Sequence, residues 1–228
     1  HTDEQGMEEL SRDSAKQNEI VTRLILERMR KWITILEERL RPNGIGIYVT
    51  GGNDDLFEVE SLLRNSSYVI DPEGIVVNVD DHHEMISCGY GNLTPWKCPR
   101  DITEEELAEK IDRMASQVRD MRTCIFNFHV PPLGSGLDTC AKLDMSAMPP
   151  RPIPGETISA GSVAVLHAIE KWQPLVTLHG HIHESRGAVN IGRTLCINPG
   201  SEYAEGVLRG AILDLRKDRI LSYQLTSG

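Results

Sequence analysis

Between residues 45 and 180, short apolar runs alternate with stretches of helical periodicity, and that alternation limits the folds open to this chain. The runs are "IGIYVT" (45–50), "GIVVNVD" (74–80), "EMISCGY" (84–90), "TCIFNFH" (123–129) and "LVTLHG" (175–180). Helical patterns fall at "LFEVESLLRN", at 103–121 and at 161–173. A longer helix is predicted over 7–40, where Leu10, Val21, Leu24, Ile25, Trp32, Ile33, Leu36 and Leu40 recur at three- and four-residue spacing. "RPNG" at 41–44 ends it. In the 103–121 helix Thr103 is a cap, and Glu104 to Glu106 suit the positive end of the helix dipole. After 180 the helices stop, and 188–200 and 208–225 alternate as antiparallel β. The pattern predicts an α/β core with a mixed sheet. The Pro- and Gly-rich segment 131–160 reads as one long loop, a length usually given to function.

A chain of 228 residues, 25% charged and 39% hydrophobic, has the makings of one globular domain over 1–228. Its net charge of -10 argues against a passive electrostatic hold on nucleic acid, which enters only as a substrate bound locally through metal ions. No apolar run approaches the ~20 residues that span a bilayer, so no membrane partner is expected. Cys88, Cys98, Cys124, Cys140 and Cys196 are odd in number and lack zinc-ribbon spacing, so free thiols in a reducing cytoplasm are expected.

Three predicted strands end in groups that can bind metal. "IYVT" leads into Gly52-Asn53-Asp54-Asp55, "CIFNF" into His129, and "LVTL" into His179-Gly180-His181-Ile182-His183. Ligands of α/β sheets sit outside the carboxyl ends of strands, so the three ends can converge. Imidazole suits zinc, manganese or iron, and the amide oxygen of Asn53 adds a harder ligand. G-H-x-H is a specific signal; G-N-x-D and a lone His129 are weak by themselves. Asp81-His82-His83 has the spelling D-x-H but falls in a polar turn, which points to surface structure.

In this order, "GGNDD", "FNFHVPP", "GSVAVLHAIEKWQP", "HGHIHESRG" and "IGRTLCINPGSEY" resemble the calcineurin-like metallophosphoesterases, most of all their small prokaryotic Icc-like members, from Ile45 onward. The resemblance implies a four-layer α-β-β-α sandwich of two mixed sheets with two divalent ions (Mn, Fe or Zn) at the strand ends. It implies Asn53, His129 and His181 on one ion and His183 on the other. His181 and His183 then point the same way along an extended segment and reach ions roughly 3.5–4 Å apart. His179 has no counterpart among the family's ligands and is expected to be structural. The implied reaction is hydrolysis of a small phosphomonoester or phosphodiester by a metal-bridging hydroxide, with Leu137, Asp138 and Lys142 shaping the leaving-group pocket; Arg186 can contact phosphate, but solvated surface is the default for it. Asn198-Pro199-Gly200-Ser201 resembles the family's N-P-G-S turn.

Two departures bear on activity. The family's D-x-H and G-D-x-x-D motifs are absent, and the start at "HTDEQG" leads us to expect them upstream in a longer gene. The slot of the family's leaving-group histidine holds Asp54. Asp54 is then a catalytic acid assisted by Asp55, or good leaving groups need no acid, or Asp54 only caps the helix after it. The alternative to a phosphoesterase is an inactive scaffold that binds a protein partner, as one retromer subunit of the family does.

Overall fold

The long helix carries two apolar stripes, and one of them builds a core. The computed structural model describes residues 13–228. By internal contacts the chain divides into two units: one runs to Gly51 and resumes over Asp55–Asp71, and the other holds Gly52–Asp54 and Pro72–Gly228.

In the first unit α1 spans Ser14–Leu40, and the Asp13 carboxylate accepts the backbone N–H of Lys16 at 3.0 Å. Pro42 and left-handed Gly44 (φ 67) end it, as read from the sequence. The part of the expected helix over 7–12, with Leu10, lies outside the described residues. β1 (Ile47–Tyr48), α2 (Phe57–Arg64) and β2 (Val69–Ile70) follow, with β1 and β2 parallel. Ile25, Leu26, Met29, Ile33 and Leu36 pack around buried Val59, Leu63 and Val69. Val21, Leu24 and Trp32, also on the predicted apolar pattern, are exposed.

The second unit contains β3 (Val76–Asn78), β4 (Glu84–Cys88), β5 (Gly91–Asn92), β6 (Asp101–Ile102), α3 (Glu104–Ala115) and β7 (Ile125–Phe128). It continues with β8 (Thr139–Asp144), β9 (Arg151–Ser159), α4 (Val163–Trp172), β10 (Val176–Leu178), β11 (Gly187–Ile191), β12 (Thr194–Asn198), β13 (Arg209–Arg216) and β14 (Arg219–Ser227). Six strands make a mixed sheet in the order β11-β12-β10-β7-β4-β3. The four central strands run parallel and the two edge strands antiparallel. The mixed α/β architecture expected from the alternation is therefore present. β4 and β12 are buried throughout, including their polar residues Glu84, Ser87, Thr194 and Asn198. Ile86, Leu107, Ile111, Phe126, Phe128, Val165 and Ile169 form the core that seats α3 and α4 on this sheet.

Two readings need correction. The helix predicted over 103–121 ends at Ala115, where the side chains of Ser116 and Gln117 bond the Arg113 carbonyl in place of a further turn. Its cap is as expected: Thr103 and Glu106 form a capping box. The segment 131–160 is no single loop, because β8 and β9 pair antiparallel within it. Prolines 152 and 154 hid β9, and an exposed hairpin strand tolerates them. Among the described residues no helix is long and apolar enough to cross a membrane, and the five cysteines are free.

Candidate functional site

Asn53, His129 and His181 meet at one oxygen. His129 follows β7 directly. Its backbone N–H donates to Cys88 O, and its carbonyl accepts from Gly180 N–H, so the chain is held on both sides. Its Nε2 lies 3.0 Å from Asn53 Oδ1. His181 Nδ1 lies 3.2 Å from the same oxygen, and the two rings stand 5.1 Å apart, nearly perpendicular. Gly52 makes this approach possible: a Cβ there would fall 2.7 Å from the His129 ring. The glycine of the G-N pair is thus set by a close contact.

Both imidazoles are held neutral. Loss of water around the ring, then the neighbouring His181, His183 and His179, push His129 down to about 3. Burial is also the largest cause for His181, opposed by the Asp101 carboxylate and reinforced by His183. A neutral imidazole offers a lone pair to an ion.

The segment that carries His181 is not extended. His181 has φ 62, and Ile182 N–H donates to Gly180 O at 2.7 Å, which makes a three-residue turn in a conformation rare for a non-glycine residue. The expected two-residue alternation of His181 and His183 is therefore wrong. The turn aims His181 at Asn53 and leaves His183 exposed, edge-on to Tyr203 at 5.5 Å. Asn198 holds the turn. Fully buried, it donates through Nδ2 to the carbonyls of Gly180, Ile182 and Leu137 and accepts Gly200 N–H. Gly200, at φ 74, would clash with His183 O if it carried a Cβ, so Asn198 and Gly200 of the N-P-G-S segment are parts of one clamp.

His179 is structural, as read from the sequence. It is buried, Nδ1 sits 3.1 Å from the carbonyls of both Phe128 and Val130, and Nε2 faces Thr177 Oγ1 at 2.8 Å. Burial pushes it down to about 4. It pins the carbonyls of Phe128 and Val130, the residues on either side of His129.

Several expected roles are not met. Asp54 does not cap the following helix: Leu56 is the N-cap of α2, without a side-chain bond. Asp54 is exposed and lies beside Cys98, whose thiol is pushed up by burial first, relieved by Thr94, and raised further by Asp101 and Asp54. Asp55 is exposed and falls in the first unit. Leu137 is in the core, and Asp138 holds the N–H groups of Gly134, Gly136 and Gly161. Lys142 pairs with Glu156 at 2.7 Å. Instead, His183, Arg186, Ser201, Glu202, Glu205 and Arg209 are among the residues around a cavity of about 260 Å³.

Asp101 was missed by sequence reading. Its Oδ1 accepts Asn53 Nδ2 at 2.9 Å, and its Oδ2 accepts Thr94 N–H and Cys98 N–H. Burial would raise this carboxyl, but those bonds hold it below the usual range. Nothing in "CPRDIT" signals the contact, which spans 48 residues.

Each imidazole stands from the Asn53 oxygen at a distance that a shared ion allows. Two donors each about 2.0–2.2 Å from a common metal at 90–109° lie roughly 2.8–3.6 Å apart, and the two distances to Asn53 Oδ1 fall in that interval. Among the described residues no group of three or more His, Cys, Asp or Glu is placed to hold an ion, so the set exists because an amide oxygen joins two imidazoles. Beyond it His183 stands alone, and the described residues do not make a site for a second ion.

No family model matches the chain. It is 28% identical over 150 residues, 65% of its length, to the uncharacterized protein MJ1162 of Methanocaldococcus jannaschii. The match spans 61% of that protein. A crystal structure 22% identical superposes with a TM-score of 0.58 over 90% of this chain and 75% of the other. TT1561 of Thermus thermophilus superposes at 0.54, with 16% identity, over 88% of this chain and 77% of its own. At these identities the likeness is one of fold.

Proposed function

We propose that this chain is the metal-binding part of a phosphoesterase that hydrolyses a small phosphomonoester or phosphodiester. The observation that carries the reading is the convergence of His129 Nε2 and His181 Nδ1, which come after β7 and β10 of a mixed α/β sheet, on Asn53 Oδ1. In this reading Asn53, His129 and His181 hold one divalent ion, of the Mn, Fe or Zn class, and His183 belongs to a second. The same reading includes a four-layer α-β-β-α sandwich of two mixed sheets. A bound ion pair supplies Lewis acidity toward phosphate oxygens and an activated water.

The chain's own residues do the positioning. His179 fixes the carbonyls of Phe128 and Val130 on either side of His129, and Asn198 fixes the turn of His181, so the donors are set before any ion arrives. Asp54, exposed and next to a ligand in sequence, is taken as the donor of a proton to a departing oxygen, with Asp55 as its assistant. Arg186 and Arg209, in the cavity beside His183, carry positive charge for the substrate's phosphate or its second substituent. Nucleic acid enters, if at all, as a substrate, and the surroundings are a reducing cytoplasm without a membrane.

The second reading, a scaffold that binds a partner protein, is favoured by one observation: the described residues leave His183 without companion ligands. Mn²⁺ titrated into the protein at its natural length, with bis-p-nitrophenyl phosphate as substrate, separates the two. Manganese-dependent release of nitrophenol, abolished by chelation, is expected. Stoichiometric metal binding without turnover on mono- or diesters would overturn the enzyme in favour of the scaffold.

A further inference from the structure

A carboxamide has two ends of nearly equal shape and opposite chemistry: the oxygen accepts and can bind a metal, and the NH₂ only donates. Something must decide which end of Asn53 faces His129 and His181. Backbone contacts fix where the amide sits. Asn53 O accepts Arg100 N–H at 3.0 Å, and Gly91 packs so closely that a Cβ would lie 3.3 Å from Asn53 Cβ. Neither contact senses which end is oxygen.

We infer that Asp101 is the positioning residue that turns the Asn53 oxygen toward the two histidines. This rests on the reading above in which Asn53 is a metal ligand. Asp101 can do it because a carboxylate only accepts, and its own orientation is pinned. Thr94 N–H at 3.0 Å and Cys98 N–H at 2.9 Å, with the Thr94 hydroxyl, occupy Oδ2. Oδ1 is left to the Asn53 NH₂ at 2.9 Å. A flipped Asn53 would set oxygen against oxygen there and present NH₂ to the metal side.

The isosteric change Asp101→Asn inverts the logic. Thr94 and Cys98 still need an acceptor, so the new amide turns its oxygen to them and its NH₂ to Asn53. Asn53 must then flip, placing a donor where the ion needs a lone pair. Adding Asn53→Asp cures this, because a carboxylate accepts from the NH₂ of the amide introduced by the first change and still offers oxygen to the metal. Asn53→Asp alone sets two carboxylates face to face and binds less well than the pair of changes.

The test is Co²⁺ alone, titrated into the full chain and followed by its visible absorption, with Mn²⁺ equilibrium dialysis in parallel. Asp101→Asn should weaken binding about 10–100-fold, the usual range for a residue that orients a ligand. The double variant should recover at least tenfold of that loss, a coupling that only contact between the two side chains produces. Wild-type affinity in Asp101→Asn overturns the inference. So does a loss that the double variant fails to recover, which would mean that Asp101 merely holds its loop. If Asp101→Asn does not fold by circular dichroism, Asn53→Asp is compared with the double variant, and equal affinity overturns the inference. A wild-type chain that binds neither ion overturns the metal-ligand reading itself, and this inference falls with it.

Discussion

Residues 80–83 and 179–183 are two histidine-bearing segments next to strands of one sheet, and their ring nitrogens are used in different ways. In the first, His83 is buried with both nitrogens engaged: Nδ1 lies 2.7 and 2.9 Å from the two Asp80 oxygens and Nε2 lies 3.1 Å from Arg216 O. Burial would raise Asp80, but the bonds from the His83 ring and from the His82 and His83 backbone hold it below the usual range. That segment fastens β13 to the edge of the sheet. In the second, His179 is likewise engaged at both nitrogens, but His181 directs Nδ1 to the oxygen that His129 also faces. The spelling D-x-H at 81–83 would have served a metal as well as G-H-x-H does. What distinguishes them is whether a ring nitrogen points at a place where other donors point too.

The comparison breaks most sharply at His181. His181→Ala should lower metal affinity at least about 10²-fold while the melting temperature moves by no more than about 3 °C. Dialysis and a thermal melt on the same sample check both, and unchanged metal content would remove His181 from the donor set. Asp54 comes next, because it is the acid beside the donor set as Asp80 is the acid beside the latch. Asp54→Asn should slow hydrolysis of alkyl phosphate esters by about 10² and leave activated aryl esters unchanged, since their oxygen departs without a proton. Equal losses on both esters would place Asp54 at the metal instead, and no loss on either would leave it no catalytic part.

Asn198 supports the second segment as Asp80 supports the first. Asn198→Ala removes its partner from the carbonyls of Leu137 and Ile182 and from Gly200 N–H, which should lower stability by about 2 kcal/mol, or roughly 4–8 °C, and metal affinity about tenfold. A melt and a titration that move independently would separate the clamp from the site. The smallest effect on the site is expected for His83→Ala: a loss of about 1–3 kcal/mol in stability with metal affinity unchanged. Weakened metal binding in that variant would erase the distinction drawn between the two segments.

His129 and His181 were legible because they come just after strands β7 and β10 of the mixed sheet, whose apolar runs are a local signal. Asn53 was legible only from its G-N spelling, since β1 is half-buried, ends five residues earlier and pairs with β2 outside that sheet. Thr103 with Glu106 was legible as well, since a capping box is complete within four residues. The turn at His181 was not: period two along an extended segment is the default, and the clamp that overrides it comes from Asn198, 17 residues on. The hairpin of β8 and β9 was hidden by prolines that only an exposed strand accepts.

The residue types were therefore determined by the sequence itself: which strands are apolar on both faces, where they end, and which side chains there can bind a metal or accept a proton. Only the tertiary structure decided their aim. Asp101 reaches Asn53 across 48 residues, Asn53 reaches His181 across 128, and His83 reaches Arg216 across 133. Periodicity reports which face of an element is buried, whereas a hydrogen bond between distant segments depends on how those elements pack, and the direction of a ring nitrogen is fixed by that packing.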